Sequence, residues 1–372
     1  MRKIYIVAGE RSGDLHGSNL TKALLARDSS LSLRGFGGDE MKKAGVDIFV
    51  HYEQLAFMGF VALVTNLFTI FKFISLCKKD IDQFKPEAII LIDYGGFNRR
   101  IAKFAKEKGI KVFYYIPPKV WAWYQSRAFE LKQNVDRLFV ILPFEKKFFK
   151  DKCNWDVDYV GNPVLDAIKA FKPDPDFLTK NGLDRSKKII ALLPGSRKME
   201  LKRIVPLMAE IIKTNPLCEF VVAAVNNLNE ELYTRFKNLP NVKFVFDASY
   251  DLLTVADAAI VTSGTATLET CIFKVPQVVV YKTGGLEYAI ASRVVKVAFI
   301  SLVNLIAGKE VVKELIQEKA IPTLLNAELS KLIRNEEYRA EIKENYEGIF
   351  RALDTGSASE NAAFLMVKYL VE

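Results

Sequence analysis

Asp93 is the residue best placed for chemistry. It ends the apolar run Ala88–Ile92 and leads into Tyr94-Gly95-Gly96-Phe97-Asn98. A carboxylate at the carboxyl end of a strand, followed by a glycine turn, points toward the ligand edge of an α/β sheet. There it suits a general base acting on a sugar hydroxyl, although it could instead cap the following helix. Two further turns suit an anion. Ile189–Leu193 runs into Pro194-Gly195-Ser196-Arg197 and a helical pattern; Ala258–Val261 runs into Ser263-Gly264-Thr265-Ala266-Thr267-Leu268-Glu269. Each presents backbone N–H groups and the positive end of a helix, and Arg197 adds a planar cationic fork. Two such turns in one half-chain point to a nucleotide diphosphate.

A fourth turn, Gly9-Glu10-Arg11-Ser12-Gly13-Asp14, follows the first strand, Lys3–Val7. Its glycines, 9, 13 and 17, miss the GxGxxG spacing, so the dinucleotide fingerprint of an NAD-dependent dehydrogenase is absent. Asp14 either caps the helix or meets substrate. Tyr115–Trp123 holds two prolines and two tryptophans, Trp121 and Trp123, a rigid wall for sugar faces or acyl chains, with one indole expected in the core. Asp156-Val157-Asp158 and Asp174-Pro175-Asp176 read as turn or surface residues, so no metal and no cofactor is expected.

These turns must be carried by elements, and the apolar runs supply them. Ala88–Ile92, Lys111–Ile116 and Leu138–Leu142 alternate with helical patterns at 14–26, 97–108 and 144–150. After the stiff segment Phe171–Asp176 the alternation restarts with strands at Ile189–Leu193, Phe220–Ala224, Val242–Phe246, Ala258–Val261 and Gln277–Tyr281. Strand–helix alternation argues parallel sheets covered on both faces. The expected architecture is α/β, two doubly wound Rossmann-like domains facing a cleft, with boundaries at 1–165, 166–345 and 346–372. The last segment is expected to be helical, with packing back on the N-terminal domain as one arrangement.

The 372 residues carry a net charge of +9, which fits phosphorylated substrates, anionic lipid or nucleic acid without choosing among them. Four scattered cysteines and two histidines, His16 and His51, argue against structural zinc and fit a reducing cytosol. The strand at the N-terminus leaves no room for a signal peptide. Leu55–Cys77 is greasy but interrupted by Thr65, Asn66, Thr69 and Lys72, so a core or interfacial helix is expected before a spanning one. Lys146, Lys147, Lys150 and Lys152, interleaved with Phe144, Phe148 and Phe149, suit either a phospholipid surface or an ordinary amphipathic helix.

Taken in order, the motifs resemble lipid A disaccharide synthase, an inverting glycosyltransferase of the GT-B fold. They are Ala8–Asp14, Met58-Gly59, Asp93 with Phe97-Asn98, Val120–Trp123, Pro143–Glu145, Leu192–Arg197, Ser263–Glu269 and Ser301–Gly308. The resemblance implies transfer from UDP-2,3-diacylglucosamine to 2,3-diacylglucosamine 1-phosphate, giving a β-1,6-linked disaccharide and UDP in lipid A biosynthesis. It implies Asp93 as base, with Gly195, Ser196, Arg197, Ser263, Gly264, Thr265, Ala266 and Thr267 on the UDP-sugar and Glu269 on its ribose. Glu10, Ser12, Gly13, Asp14, Asn98 and Trp121 would line the acceptor side. The greasy segment would seat acyl chains and touch phospholipids on the cytoplasmic face of the inner membrane. No nucleic acid is implied, and a homo-oligomer stays open. The chain departs from the pattern at Gly95-Gly96, where a proline is usual, and at Pro117, where a serine is common. Another GT-B UDP-sugar enzyme, or a non-catalytic lipid- or nucleotide-binding protein, are the rival readings.

Overall fold

The computed structural model describes residues 2–56, 67–226, 228–285, 288 and 297–371. Met58-Gly59 and most of the first half of Leu55–Cys77 lie outside the described residues. The chain divides into two compact units, Met1–Pro163 with Thr355–Glu372, and Val164–Asp354.

The first unit is built on seven parallel strands: β1 (Lys3–Ala8), β2 (Ser32–Gly37), β3 (Asp47–His51), β4 (Ala88–Ile92), β5 (Lys111–Tyr115), β6 (Arg137–Val140) and β7 (Asp158–Tyr159), in the order β3-β2-β1-β4-β5-β6-β7. Every residue of β4 is buried, as a parallel strand covered on both faces requires. Alternate residues feed opposite faces. Tyr5, Val7, Ile89 and Leu91 pack with Ile74, Cys77, Ile81 and Ile101. On the other face Ile4, Ile6, Ile90 and Ile92 pack with Leu20, Leu24, Ala362, Ala363 and Met366. The terminal helix Ala358–Val371 therefore lies beside the helix Arg11–Arg27. Arg27 pairs with Glu360 at 3.1 Å, and Lys111 Nζ donates to the Tyr369 carbonyl at 2.5 Å.

The second unit carries six parallel strands: β8 (Ile189–Leu193), β9 (Glu219–Ala224), β10 (Val242–Phe246), β11 (Ala258–Thr262), β12 (Gln277–Tyr281) and β13 (Glu314–Ile316), in the order β10-β9-β8-β11-β12-β13. The helix Glu336–Leu353 belongs to it. Tyr346 is buried and its hydroxyl meets Gln277 Nε2 at 3.2 Å, which ties that helix to β12. An expected boundary at 345 falls inside this helix; the chain returns to the first unit at Thr355, after the helix ends.

Among the described residues no helix is long and apolar enough to cross a membrane. The helix Pro143–Cys153 has Phe149 buried, while Lys147 pairs with Asp151 and Lys150 with Asp156, the arrangement of a solvated amphipathic helix.

Candidate active site

Strand order reverses once in each sheet, between β1 and β4 and between β8 and β11. Ligands of open α/β sheets bind at the carboxyl ends of strands flanking such a reversal. The four turns singled out by sequence are the turns after those four strands. Residues 9–14 follow β1 and Asp93 follows β4; residues 194–197 follow β8 and 263–269 follow β11.

Backbone strain gathers at the first of these edges. Asp93, Tyr94, Ile116 and Tyr124 all lie in the left-handed region, with φ of 47°, 47°, 58° and 53°. Non-glycine residues hold that conformation only where their surroundings over-determine it. Asn98 supplies part of the restraint. It is fully buried, and its Nδ2 donates to the carbonyls of Ile92 at 3.1 Å and Asp93 at 2.9 Å. Tyr114 donates its hydroxyl to the Asp93 carbonyl at 2.7 Å. The Tyr94 ring occupies the space above Gly9, where a Cβ would stand 2.3 Å from the ring. A Cβ on Gly95 would meet Pro118 Cγ at 2.5 Å, so glycine is what fits beside that proline. Burial pushes the Asp93 carboxyl above its ordinary range, against the opposing pull of the Lys119 charge and a Tyr94 backbone hydrogen bond.

The structure gives three of the expected acceptor residues hydrogen bonds within the fold. Asn98 is buried beneath the Asp93 turn. Asp14 is buried, and its carboxylate accepts from the N–H groups of Gly38 at 2.7 Å, Met41 at 3.1 Å and Glu40 at 3.1 Å. It caps the short helix Asp39–Lys43. Trp121 is buried and donates its indole N–H to Glu145 at 3.0 Å, whereas Trp123 is the exposed tryptophan of the pair. Gly13 is buried within the first turns of its helix, with its Cβ position 3.3 Å from that of Ala8; Glu10 and Ser12 stand exposed at the helix start. Arg11, Ser12, Asp14, Leu15, Asp39, Glu40 and Tyr52 line a pocket of about 620 Å³ beside it.

Glu145, named in sequence only within a motif, is buried and central. Its other oxygen accepts from the N–H groups of Ile141 at 3.1 Å and Leu142 at 2.9 Å. Burial pushes its pKa up to about 7 although these donors favour the charged form. Burial alone lowers His16 to about 4.

In the second unit, Gly195 has φ 108° and turns the chain sharply. The N–H groups of Ser196 and Arg197 donate to one oxygen of Glu200 at 3.0 and 3.2 Å, and Arg197 Nη1 pairs with the other at 2.9 Å. The backbone donors expected to meet a phosphate are thus occupied by Glu200. At the other turn Ser263 donates its hydroxyl to the Ile300 carbonyl at 2.9 Å, and Thr267, fully buried, donates to the Gly264 carbonyl at 2.8 Å. Those two side chains are spent on the turn. Gly264 and Thr265 remain exposed, Ala266 is half-buried, and a helix starting at Thr265 leaves its leading N–H groups without intrahelical acceptors. Glu269 accepts the Tyr250 hydroxyl at 3.2 Å, and burial raises its pKa.

A network that the sequence does not announce stands behind this turn. Glu314 accepts from Ile300 N–H, Ser301 N–H and hydroxyl, and Asn304 Nδ2, at 2.7–2.9 Å, so Ser301 and Asn304 are structural. Asp174 accepts from Asp176 N–H and pairs with Lys180, a turn rather than an ion cradle. No cluster of three or more candidate metal ligands occurs among the described residues.

Residues 4–368 match the family described as lipid-A-disaccharide synthetase. The chain belongs to that family. It is 39% identical to the lipid-A-disaccharide synthase of Syntrophus aciditrophicus, over 97% of this chain and 96% of that one. Identity to the Coxiella burnetii Dugway enzyme of the same name is 33%, over 97% of each. As a member the chain is a glycosyltransferase that forms the lipid A disaccharide. Solved structures agree on the fold. A UDP-GlcNAc 2-epimerase from Neisseria meningitidis superposes with TM-score 0.64 at 15% identity, covering 99% of both chains. The glycosyltransferase of kitacinnamycin gives 0.67 at 14%, again covering 99% of both. Such neighbours establish the GT-B architecture alone.

Proposed function

We propose that the chain moves the diacylglucosamine of UDP-2,3-diacylglucosamine to the 6-hydroxyl of 2,3-diacylglucosamine 1-phosphate with inversion. The observation that carries the site assignment is that the two strand-order reversals are flanked by an acid on one sheet and by a cation with an open helix start on the other. In the proposed step Asp93 takes the hydroxyl proton as the acceptor oxygen attacks C1. The C1–oxygen bond to the diphosphate breaks, and its electron pair leaves with UDP. Arg197 and the N–H groups at Thr265 and Ala266 receive that growing charge, and Glu269 takes the ribose hydroxyls. A carboxyl raised by burial is the stronger base once ionised. Glu10, Ser12 and the exposed Trp123 serve the acceptor side.

Peripheral contact with phospholipids on the cytoplasmic face of the inner membrane is part of this reading. Its support is the exposed Phe71, over which the Arg100 guanidinium lies at 5.6 Å, and the exposed Trp123, Tyr124 and Phe129. Aromatic and cationic side chains together suit a headgroup boundary.

The test is UDP release from the donor with and without acceptor, in detergent and EDTA. Release that needs the acceptor and yields a disaccharide supports the transfer and its independence of divalent metal. Acceptor-independent release would replace it with hydrolysis or an epimerase-like reaction, and tight donor binding with no release would leave a binding protein.

A further inference from the structure

The Glu200 carboxylate sits where the sequence alone would place a phosphate. It lies inside the turn: a Cβ on Gly195 would stand 2.4 Å from its Oε2, so glycine is what admits it. Only 18% of the Glu200 side chain is exposed, against 79% for Arg197. The carboxylate is the inner partner and the guanidinium the outer one. With the guanidinium in solvent, an ion pair between residues three apart on a helix is weak, so the Arg197 contact adds little to stability. What it does is direct a long side chain that would otherwise sample many rotamers.

We propose that Glu200 is a positioning residue for donor binding, a built-in anion that fills the Pro194–Arg197 turn and holds the Arg197 guanidinium ready for the diphosphate. The proposal rests on reading Arg197 and the 263–267 turn as the diphosphate site. The Ser196 and Arg197 N–H groups stay with Glu200 throughout. The diphosphate meets the outer edge of the guanidinium and the helix start at Thr265 instead. One permanent carboxylate thereby shapes the loop and removes the entropy that Arg197 would lose on binding.

Calorimetric titration with UDP as probe, on the full chain, tests this. Arg197→Ala should weaken UDP roughly tenfold or more, the scale of one charge-assisted hydrogen bond. Glu200→Gln keeps an amide oxygen for the two N–H groups but lacks the ion pair. It should leave Tm nearly unchanged yet lose most of what Arg197→Ala loses, and add nothing in the double variant. Glu200→Ala should lower both affinity and Tm; if it fails to fold, the Gln variant carries the test alone. UDP binding equal to or tighter than wild type in Glu200→Gln would overturn the proposal, since the carboxylate would then be a bystander or a competitor. Unchanged UDP binding in Arg197→Ala would remove the diphosphate reading of this turn, and the proposal with it.

Discussion

Asp93, the proposed base, is a single titrating group whose environment sets two expectations. As base it must be ionised, so turnover should fall on acidification with an apparent pKa above the ordinary aspartate value, because burial has raised it. The stability consequence has the opposite sense. A raised carboxyl pKa means the folded state holds the proton more tightly, so its contribution is full below the unfolded value and is lost as pH rises through the folded one. Asp93→Asn removes that cost. It should therefore abolish most turnover, by about 10²–10⁴-fold, while leaving UDP affinity within about twofold and Tm at neutral pH equal or higher. A variant that loses UDP binding as fully as turnover would show Asp93 to be structural.

Two loops depend on close approach at the scale of elements. The Tyr94 ring can lie over the end of β1 only because Gly9 lacks a Cβ. Gly9→Ala should push the ring and the strained Asp93 turn aside, lowering kcat with little change in UDP affinity. Adding Tyr94→Ala should recover part of the stability lost, a coupling read from urea midpoints; additive losses would break the link. The second loop carries the two tryptophans and hangs on Glu145. Because burial pushes this carboxyl up to about 7, its contribution to stability is full below about pH 4.5 and is lost as pH rises through neutrality. Wild-type Tm should drop between about pH 5 and pH 8 by more than that of Glu145→Gln, whose amide does not titrate. Parallel Tm profiles for the two proteins would mean the acid is not the source of the slope.

For the whole molecule, the terminal helix is the part most out of place in sequence. It crosses back to the first unit and buries Ala362, Ala363 and Met366 against β1 and β4. Met366→Ala should cost the first unit about 2–5 kcal/mol through the cavity left behind. All three tryptophans, Trp121, Trp123 and Trp155, lie in that unit. Their fluorescence should therefore show a lowered urea midpoint, while UDP-detected unfolding of the second unit shifts less. Equal shifts of both probes would mean the units unfold as one.

Buried strands and the turns after them were legible because both signals are local. Ala88–Ile92 and Ile189–Leu193 are continuous apolar runs, Val242–Phe246 and Gln277–Tyr281 are apolar but for Lys243 and Gln277, and all four strands have the bounds that their composition suggests. Ser32–Gly37 and Asp47–His51 escaped that reading: glycines and charges interrupt them, and Gly35 is present so that its backbone can approach the Ile6 carbonyl. What each polar residue at a turn does was decided by tertiary structure. Asp14 is spent on N–H groups 24 to 27 residues away, and Asn98 on the strand ends beneath Asp93. Trp121 goes inward to Glu145 while Trp123 stays out. Even where the partner is only three residues on, as for Arg197 and Glu200, the depth of the carboxylate depends on the space left by Gly195. The sequence by itself therefore determined the central strands and the turns that follow them, since apolar periodicity and turn composition act over a few residues. The tertiary structure alone decided which donors and acids at those ends are consumed by the fold and which are left for a ligand, since a buried polar group takes its partner from whatever packing brings within hydrogen-bond reach.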